Sequence, residues 1–237
     1  MRFNWALLIL FFTVMLSLAI IYMTSVKNGS RTLEKINITI KPNSGNNYFI
    51  SADSIRNLVK SEIDLNVNSL NLSNLEKTMN KITYVKKSEV FKTVNNQLEI
   101  IVYQKEPIAR IINSDSVFYL DKNSTFMNLS ELYSVQVPLI FGFNKSSDLK
   151  FLTNISNMIK NDKFLNENIS QIFIDKNQEV SLKLRGFNTI VEIGDKKNLN
   201  KKIQNLKAFY VKAFEKNEIN QYKKLNLQYA NQVIGIK

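Results

Sequence analysis

Five carboxylates stand in stretches patterned for strands or turns: Glu89, Glu99, Asp121, Asp175 and Glu192. General acid–base chemistry of the glycosidase kind needs two such groups brought together, and none of the five is paired locally. Asp121-Lys122-Asn123-Ser124 has the acid and amide spacing that opens a calcium loop. It lacks the glycine and the closing glutamate of such a loop, so it reads as a plain turn. The chain contains no histidine and no cysteine. That excludes Ser-His-Asp triads, cysteine nucleophiles, haem held by an axial histidine, zinc on imidazole or thiolate, and disulfides. The six glycines, at 29, 45, 142, 186, 194 and 235, are too scattered for a phosphate-cradling loop or a dinucleotide fingerprint. The residues therefore point away from an enzyme, with no cofactor, no metal site and no small-molecule substrate.

What such residues would sit on is set by the rest of the chain. Of 237 residues, 44% are hydrophobic and 22% charged, enough to build cores. Lys and Arg number 32 against 20 acids, a net charge of +12. The excess is uneven: residues 196–237 hold ten lysines against Glu215 and Glu218. A basic patch can draw nucleic acid or anionic lipid. Here the lysines follow a helical pattern. Leu199, Ile203, Leu206, Tyr210 and Phe214 step as one apolar stripe, and Lys197, Lys201, Lys202, Lys207 and Lys212 are assigned to the outward face. This reads as a solvated face, with no nucleic-acid partner. Lys201, Lys202, Lys207 and Lys212 are the candidate contacts to acidic residues of a partner helix.

Trp5 to Met23 is an uncharged run of 19 residues. At about 1.5 Å per residue it spans roughly 28 Å, close to the ~30 Å hydrocarbon core. Trp5 and Tyr22 lie near its ends, where amphipathic rings prefer the interface, and Phe11 and Phe12 lie between. The run is longer than a signal-peptide core, and Met23-Thr24-Ser25-Val26-Lys27 is a poor cleavage site. It reads as an uncleaved anchor over residues 5–24, with residues 1–4 as a short tail. Lys27, Arg31 and Lys35 after the run outweigh Arg2 before it. The charge count therefore slightly opposes an outside C-terminus.

Two soluble modules follow. The first, residues 33–107, reads β-α-α-β-β. Its strand Leu33–Ile40 is followed by a helix capped by Ser51 and carrying Ile55, Leu58, Val59 and Ile63. A second helix starts on the capping box Ser73-Asn74-Leu75-Glu76, and strands Val85–Thr93 and Gln97–Gln104 turn at Asn95-Asn96. The second module, residues 108–237, is rich in strands: Ile108–Ile112, Val117–Leu120, Ile169–Ile174, Val180–Leu184 and Thr189–Ile193. Two helices carry Leu149, Leu152, Ile155 and Ile159 in one and the lysine-flanked stripe in the other. Leu225–Ile236 closes the chain as a strand. The fold class is α+β: one N-terminal membrane helix, a β-α-α-β-β domain, and a mixed or antiparallel sheet domain with two or three helices. Gln104-Lys105-Glu106-Pro107-Ile108 joins the modules without a Gly/Ser linker, which predicts a rigid junction. Arg110, beside that junction, is expected to pin the two modules by hydrogen bonds.

Certain residues in this order resemble the FtsQ/DivIB family of bacterial division proteins. They are Tyr84-Val85-Lys86-Lys87-Ser88-Glu89-Val90, Leu98-Glu99-Ile100, Gln104-Lys105-Glu106-Pro107-Ile108-Ala109-Arg110, Tyr119-Leu120-Asp121, Val137-Pro138-Leu139-Ile140, and the closing run from Leu225 to Val233. The turn after Asp121 lacks the glycine common in the family, and Gln228 replaces the usual arginine. The resemblance implies that the first module is POTRA-like. It also implies a bitopic inner-membrane scaffold with a short cytoplasmic N-terminus and a periplasmic C-terminal domain at the division septum, overruling the charge count. Its partners would be the single-pass proteins FtsB and FtsL and other divisome components, through which it would help to control septal peptidoglycan synthesis. On this reading an extended partner segment adds as a strand to an exposed edge made by Leu225, Asn226, Leu227, Gln228, Tyr229, Ala230, Asn231, Gln232, Val233 and Ile234. The rival reading is a POTRA-bearing envelope protein of export or outer-membrane assembly.

Overall fold

The computed structural model of the chain describes residues 5–29, 35–42, 47–63, 70–229 and 232–237. The four-residue N-tail and Leu33 lie outside the described residues. The chain forms two compact units. One comprises residues 1–41 and 50–103; the other comprises residues 42–49 and 104–237.

In the first unit, helix α1 runs Trp5–Gly29. Among the described residues it is the one helix long and apolar enough to cross a membrane, and none of its apolar window is buried by protein. Its hydroxyls are satisfied within the helix: Thr13 donates to the Leu10 carbonyl and Ser17 to the Val14 carbonyl. A polar group in hydrocarbon needs such an internal partner. Trp5, Phe11, Phe12 and Tyr22 are all exposed along it.

The remaining elements of this unit are β1 (Lys35–Lys41), α2 (Ala52–Ile63), α3 (Leu72–Asn80), β2 (Val85–Lys92) and β3 (Gln97–Gln104), in the β-α-α-β-β order expected. They make a sheet ordered β1-β3-β2, with β1 parallel to β3. Ile55 and Val59 of α2 and Leu75 and Met79 of α3 bury against Leu98, Ile100 and Val102 of β3. Leu58, expected in the buried stripe, is exposed. Ser51 caps α2, its hydroxyl accepting from the Ser54 amide at 2.9 Å. The cap of α3 is Asn71 rather than Ser73: the Asn71 side chain accepts from the Asn74 amide at 3.1 Å. An amide side chain two residues upstream does the same capping work, so Ser73 falls inside the first turn. The β2–β3 turn is as expected, with Asn96 at φ 61°.

The second unit is built on a nine-stranded sheet. Its strands are β4 (Pro107–Ile112), β5 (Val117–Asp121), β6 (Phe126–Asn128), β7 (Leu139–Phe141), β8 (Ile169–Ile174), β9 (Val180–Leu184), β10 (Ile190–Gly194), β11 (Lys224–Asn226) and β12 (Ile234–Ile236). The spatial order is β12-β11-β10-β9-β8-β7-β4-β5-β6. Pairs β4–β7, β7–β8 and β10–β11 are parallel and the others antiparallel. Helices α4 (Leu149–Asn161), α5 (Lys163–Asn168) and α6 (Leu199–Glu215) complete it. One row of aligned residues crosses six strands: Ile111, Ile140, Ile172, Leu182, Val191 and Leu225. All six are 0% exposed and share a core with Leu152 and Ile155 of α4 and Ile203 and Leu206 of α6. The short strands β6 and β7 and the six-residue α5 carry too few residues to show a periodicity, so no pattern in the sequence marks them.

The bonds of Arg110 lie inside the second unit, where the reading expected them to pin two modules. Its Nη2 donates to the Tyr119 hydroxyl and to Ser134 Oγ, both within the second unit. Asp121 makes the expected turn, its buried Oδ1 accepting from the amides of Asn123 at 2.9 Å and Thr125 at 2.8 Å.

Candidate functional site

The end of the sheet formed by β10, β11 and β12 holds the residues expected to meet a partner, and it differs from the expectation. Leu225–Ile236 is not one strand. Leu225 and Asn226 lie in β11, which pairs with Val191 and Glu192 of β10 on one side and with Gly235 and Ile234 of β12 on the other. Leu227 is fully buried, and its amide still donates to the Glu192 carbonyl at 2.9 Å. These three residues therefore offer no free edge. Burial of Leu225 and Leu227 sets the face these side chains occupy, and β11 is inside the sheet because β12 pairs along its other side.

Gln228 and Tyr229 are exposed in the connection that follows, and Tyr229, at 55% exposure, is not a core residue. Ala230 and Asn231 lie outside the described residues. Gln232 is exposed and Val233 half-buried against the core. Of the eight described candidates, Ile234 alone sits on the edge strand β12. Gly235 and Ile236, which were not singled out, complete that strand. Their alternation, apolar–glycine–apolar after a polar Asn-Gln connection, was the available signal.

Among the described residues β12 has a neighbour on one side only. Ile234 and Ile236 are both exposed there. Lys223, just before β11, donates its amide to the Ile236 carbonyl at 2.9 Å. Lys224 of β11 pairs with Glu192 of β10 at 2.7 Å. A three-residue edge with two exposed isoleucines can accept a partner strand by backbone hydrogen bonds and hold alternate side chains on one face.

Helix α6 lies behind this end, and its four candidate lysines divide. Lys202 is 2% exposed and does not face solvent. Its Nζ donates to the Ile193 carbonyl at 2.8 Å, the Asp195 carbonyl at 2.9 Å and Asp195 Oδ1 at 2.8 Å. Position 202 falls three after Leu199 and four before Leu206, on the buried stripe, so helical geometry turns it inward despite its charge. That hydrogen bond holds the Asp195 carboxyl below its usual range. Lys207 pairs with Asp162, the residue that caps α5 through the Leu165 amide. The bond from Lys207 is the main cause of a lowered Asp162 pKa. Lys201 and Lys212 are exposed, and neither has a carboxylate partner among the described residues. Phe214, expected in the buried stripe, is 55% exposed beside Val211.

The five carboxylates with catalytic potential are each engaged structurally. Glu89 pairs with Lys87 and Glu192 with Lys224, both at 2.7 Å. Glu99 accepts from Asn37 Nδ2 at 2.6 Å. Asp121 and Asp175 fold turns, Asp175 accepting from the amides of Asn177 and Glu179 at 2.8 Å.

The FtsQ/DivIB, C-terminal related family model matches residues 106–235, more than half of the chain. No curated protein matches it. Among solved structures it is similar to the major extracytoplasmic domain of the trans isomer of the bacterial cell-division protein DivIB from Geobacillus stearothermophilus. The identity is 14% and the TM-score 0.23, over 34% of this chain and 71% of that one.

Proposed function

The chain belongs to the FtsQ/DivIB, C-terminal related family, and on that footing we propose that it is a membrane-anchored scaffold of bacterial cell division. Membership carries the division role. The finer reading is that the second unit lies outside the cytoplasmic membrane at the septum and recruits FtsB- and FtsL-like single-pass proteins. It would thereby help to control septal peptidoglycan synthesis, with the first unit acting as a POTRA-like module. The observation that supports recruitment is β12, which among the described residues is paired on one side only, at the end of the family-matched region. An extended partner segment would add beside it, each backbone hydrogen bond contributing about 1 kcal/mol net. Lys201 and Lys212 remain candidates for a partner helix.

Full-length protein, copurified with the FtsB-like protein of its own host, tests this. A Cβ at position 235 has no room beside Tyr222, so the edge is tested without touching that glycine: Ile234→Lys combined with Ile236→Lys puts charge at both exposed positions and leaves every ladder donor in place. Capture should be lost in this double variant while its β11–β12 amides keep their hydrogen-exchange protection. Capture by that variant at wild-type level would refute strand addition. Depletion in the host should give filaments without septa; normal septation with defective envelope assembly would favour the export reading.

A further inference from the structure

Two guanidinium groups in the second unit are held in place by neutral acceptors alone. Arg110 Nη2 donates to the Tyr119 hydroxyl at 2.5 Å, Ser134 Oγ at 2.7 Å and the Val135 carbonyl at 3.4 Å. Its Cζ stands 4.8 Å from the centroid of the Tyr119 ring. Its Nε is buried without a partner, and Nη1 has none among the described residues. Arg185 is fixed by two carbonyls: Nε donates to Glu167 at 3.0 Å and Nη2 to Ile169 at 3.1 Å, leaving Nη1. No carboxylate lies within salt-bridge distance of either among the described residues. Arg56, the other described arginine, has Asp53 at 2.5 Å.

Arg110 and Arg185 line the same cleft of about 380 Å³, together with Ser134, Gln136, Ser170 and Gln171. Among the described residues no acidic side chain lines it. Arg185 and Ser170 also line a neighbouring cavity of about 560 Å³ with Lys183 and Lys223, again without an acid. The register explains how the cleft forms. Arg110, Leu139, Gln171 and Lys183 are aligned across β4, β7, β8 and β9, one position along from the buried row and so on the opposite face of the sheet.

A cation oriented by neutral groups keeps its full charge, and two of them in one cleft repel until an anion is shared. The arginines are pre-positioned, so a ligand would not have to order them. Each has a free guanidinium end, and serine and glutamine side chains stand around them as neutral donors. No helix N-terminus or glycine-rich loop lies among the lining residues to supply the many donors that a phosphate commonly takes. We propose that this cleft binds a carboxylate, shared between the open ends of Arg110 and Arg185. This site is separate from the β12 edge and stands or falls without it.

The test uses full-length protein in nonionic detergent at low salt, titrated calorimetrically with glutarate and, separately, with an end-blocked pentapeptide carrying two glutamates. Glutaramide and inorganic phosphate are the controls. Saturable binding of glutarate identifies a small carboxylate; binding of the peptide alone identifies carboxylate side chains of a chain segment. Either should weaken at least about tenfold in Arg185→Gln, stay unchanged in Arg56→Gln, and be partly kept in Arg185→Lys. Arg110→Gln should behave like Arg185→Gln. Because Arg110 also tethers residues 134–135, the Arg185 variants decide the matter if it fails to fold. The proposal is overturned if neither carboxylate probe binds, if binding survives Arg185→Gln, or if phosphate or glutaramide binds as well.

Discussion

The ring of Tyr222 occupies the space that a side chain on Gly235 would need: a Cβ built there would lie 2.5 Å from Tyr222 Cε1. The ring is fixed in turn by Phe209, edge-on at 5.3 Å. The edge strand β12 is therefore seated through a glycine, and its two isoleucines point to the opposite face of the sheet.

Gly235→Val should unseat β12 while leaving the rest of the sheet folded. Overpacking of this kind costs about 1–3 kcal/mol. Hydrogen exchange should rise at residues 234–236 and on the β12 side of β11, with residues 180–184 unchanged. Unaltered protection at 234–236 would contradict the seating described.

The lysines of α6 should separate by role. Lys202→Met strands the Ile193 and Asp195 carbonyls and should lower stability by about 1–3 kcal/mol in urea unfolding. Lys201→Ala and Lys212→Ala should stay within about 0.5 kcal/mol of the parent. Equal effects at all three positions would mean that α6 presents a uniform lysine face.

Acid should weaken the fold through specific carboxylates. Asp162 is held below the usual range chiefly by the hydrogen bond from Lys207. At Glu106 burial pushes the other way, but bonds from Lys122 and Lys160 outweigh it and the net direction is down. A depressed folded-state pKa stabilises fully above the unfolded carboxylate value of about 4, and that contribution is lost as pH falls through the folded value. The urea midpoint should therefore hold from neutral pH to about 5 and fall below about 4. Lys207→Met should flatten the decline. An identical acid slope in that variant would remove the Asp162 pair from the account.

Gly142 sits at φ +79° at the end of β7, where a Cβ would meet the Ile174 carbonyl oxygen at 2.1 Å. Gly142→Ala should cost on the order of 3 kcal/mol, from strain and from displacement of β8 backbone. A loss below about 1 kcal/mol in thermal or urea unfolding would show that the strands give way there.

Much of the local structure was legible because it is written in short-range patterns. The alternation in Gln97–Gln104, the Asn95-Asn96 turn and the i, i+3, i+4 spacing of Leu149, Leu152, Ile155 and Ile159 all became the elements expected. The signals failed where two local features competed. Asn71 rather than Ser73 caps α3, a near miss between two good capping residues. Lys202 was assigned outward for its charge, although its helical position pointed inward to the carbonyls of Ile193 and Asp195.

By itself the chain's order of residues determined the membrane-length apolar helix, the β-α-α-β-β unit and the family resemblance, since composition and period act over neighbours. Which strand stands at the margin of the sheet was settled only in three dimensions. Backbone groups of every strand have the same pairing potential, and whether one is left open depends on where the others lie. β11 is enclosed because Ile234–Ile236 folds back and pairs along the side that β10 leaves open. Arg110 and Arg185, 75 positions apart in the chain, share a cleft only because β4, β7 and β8 lie side by side.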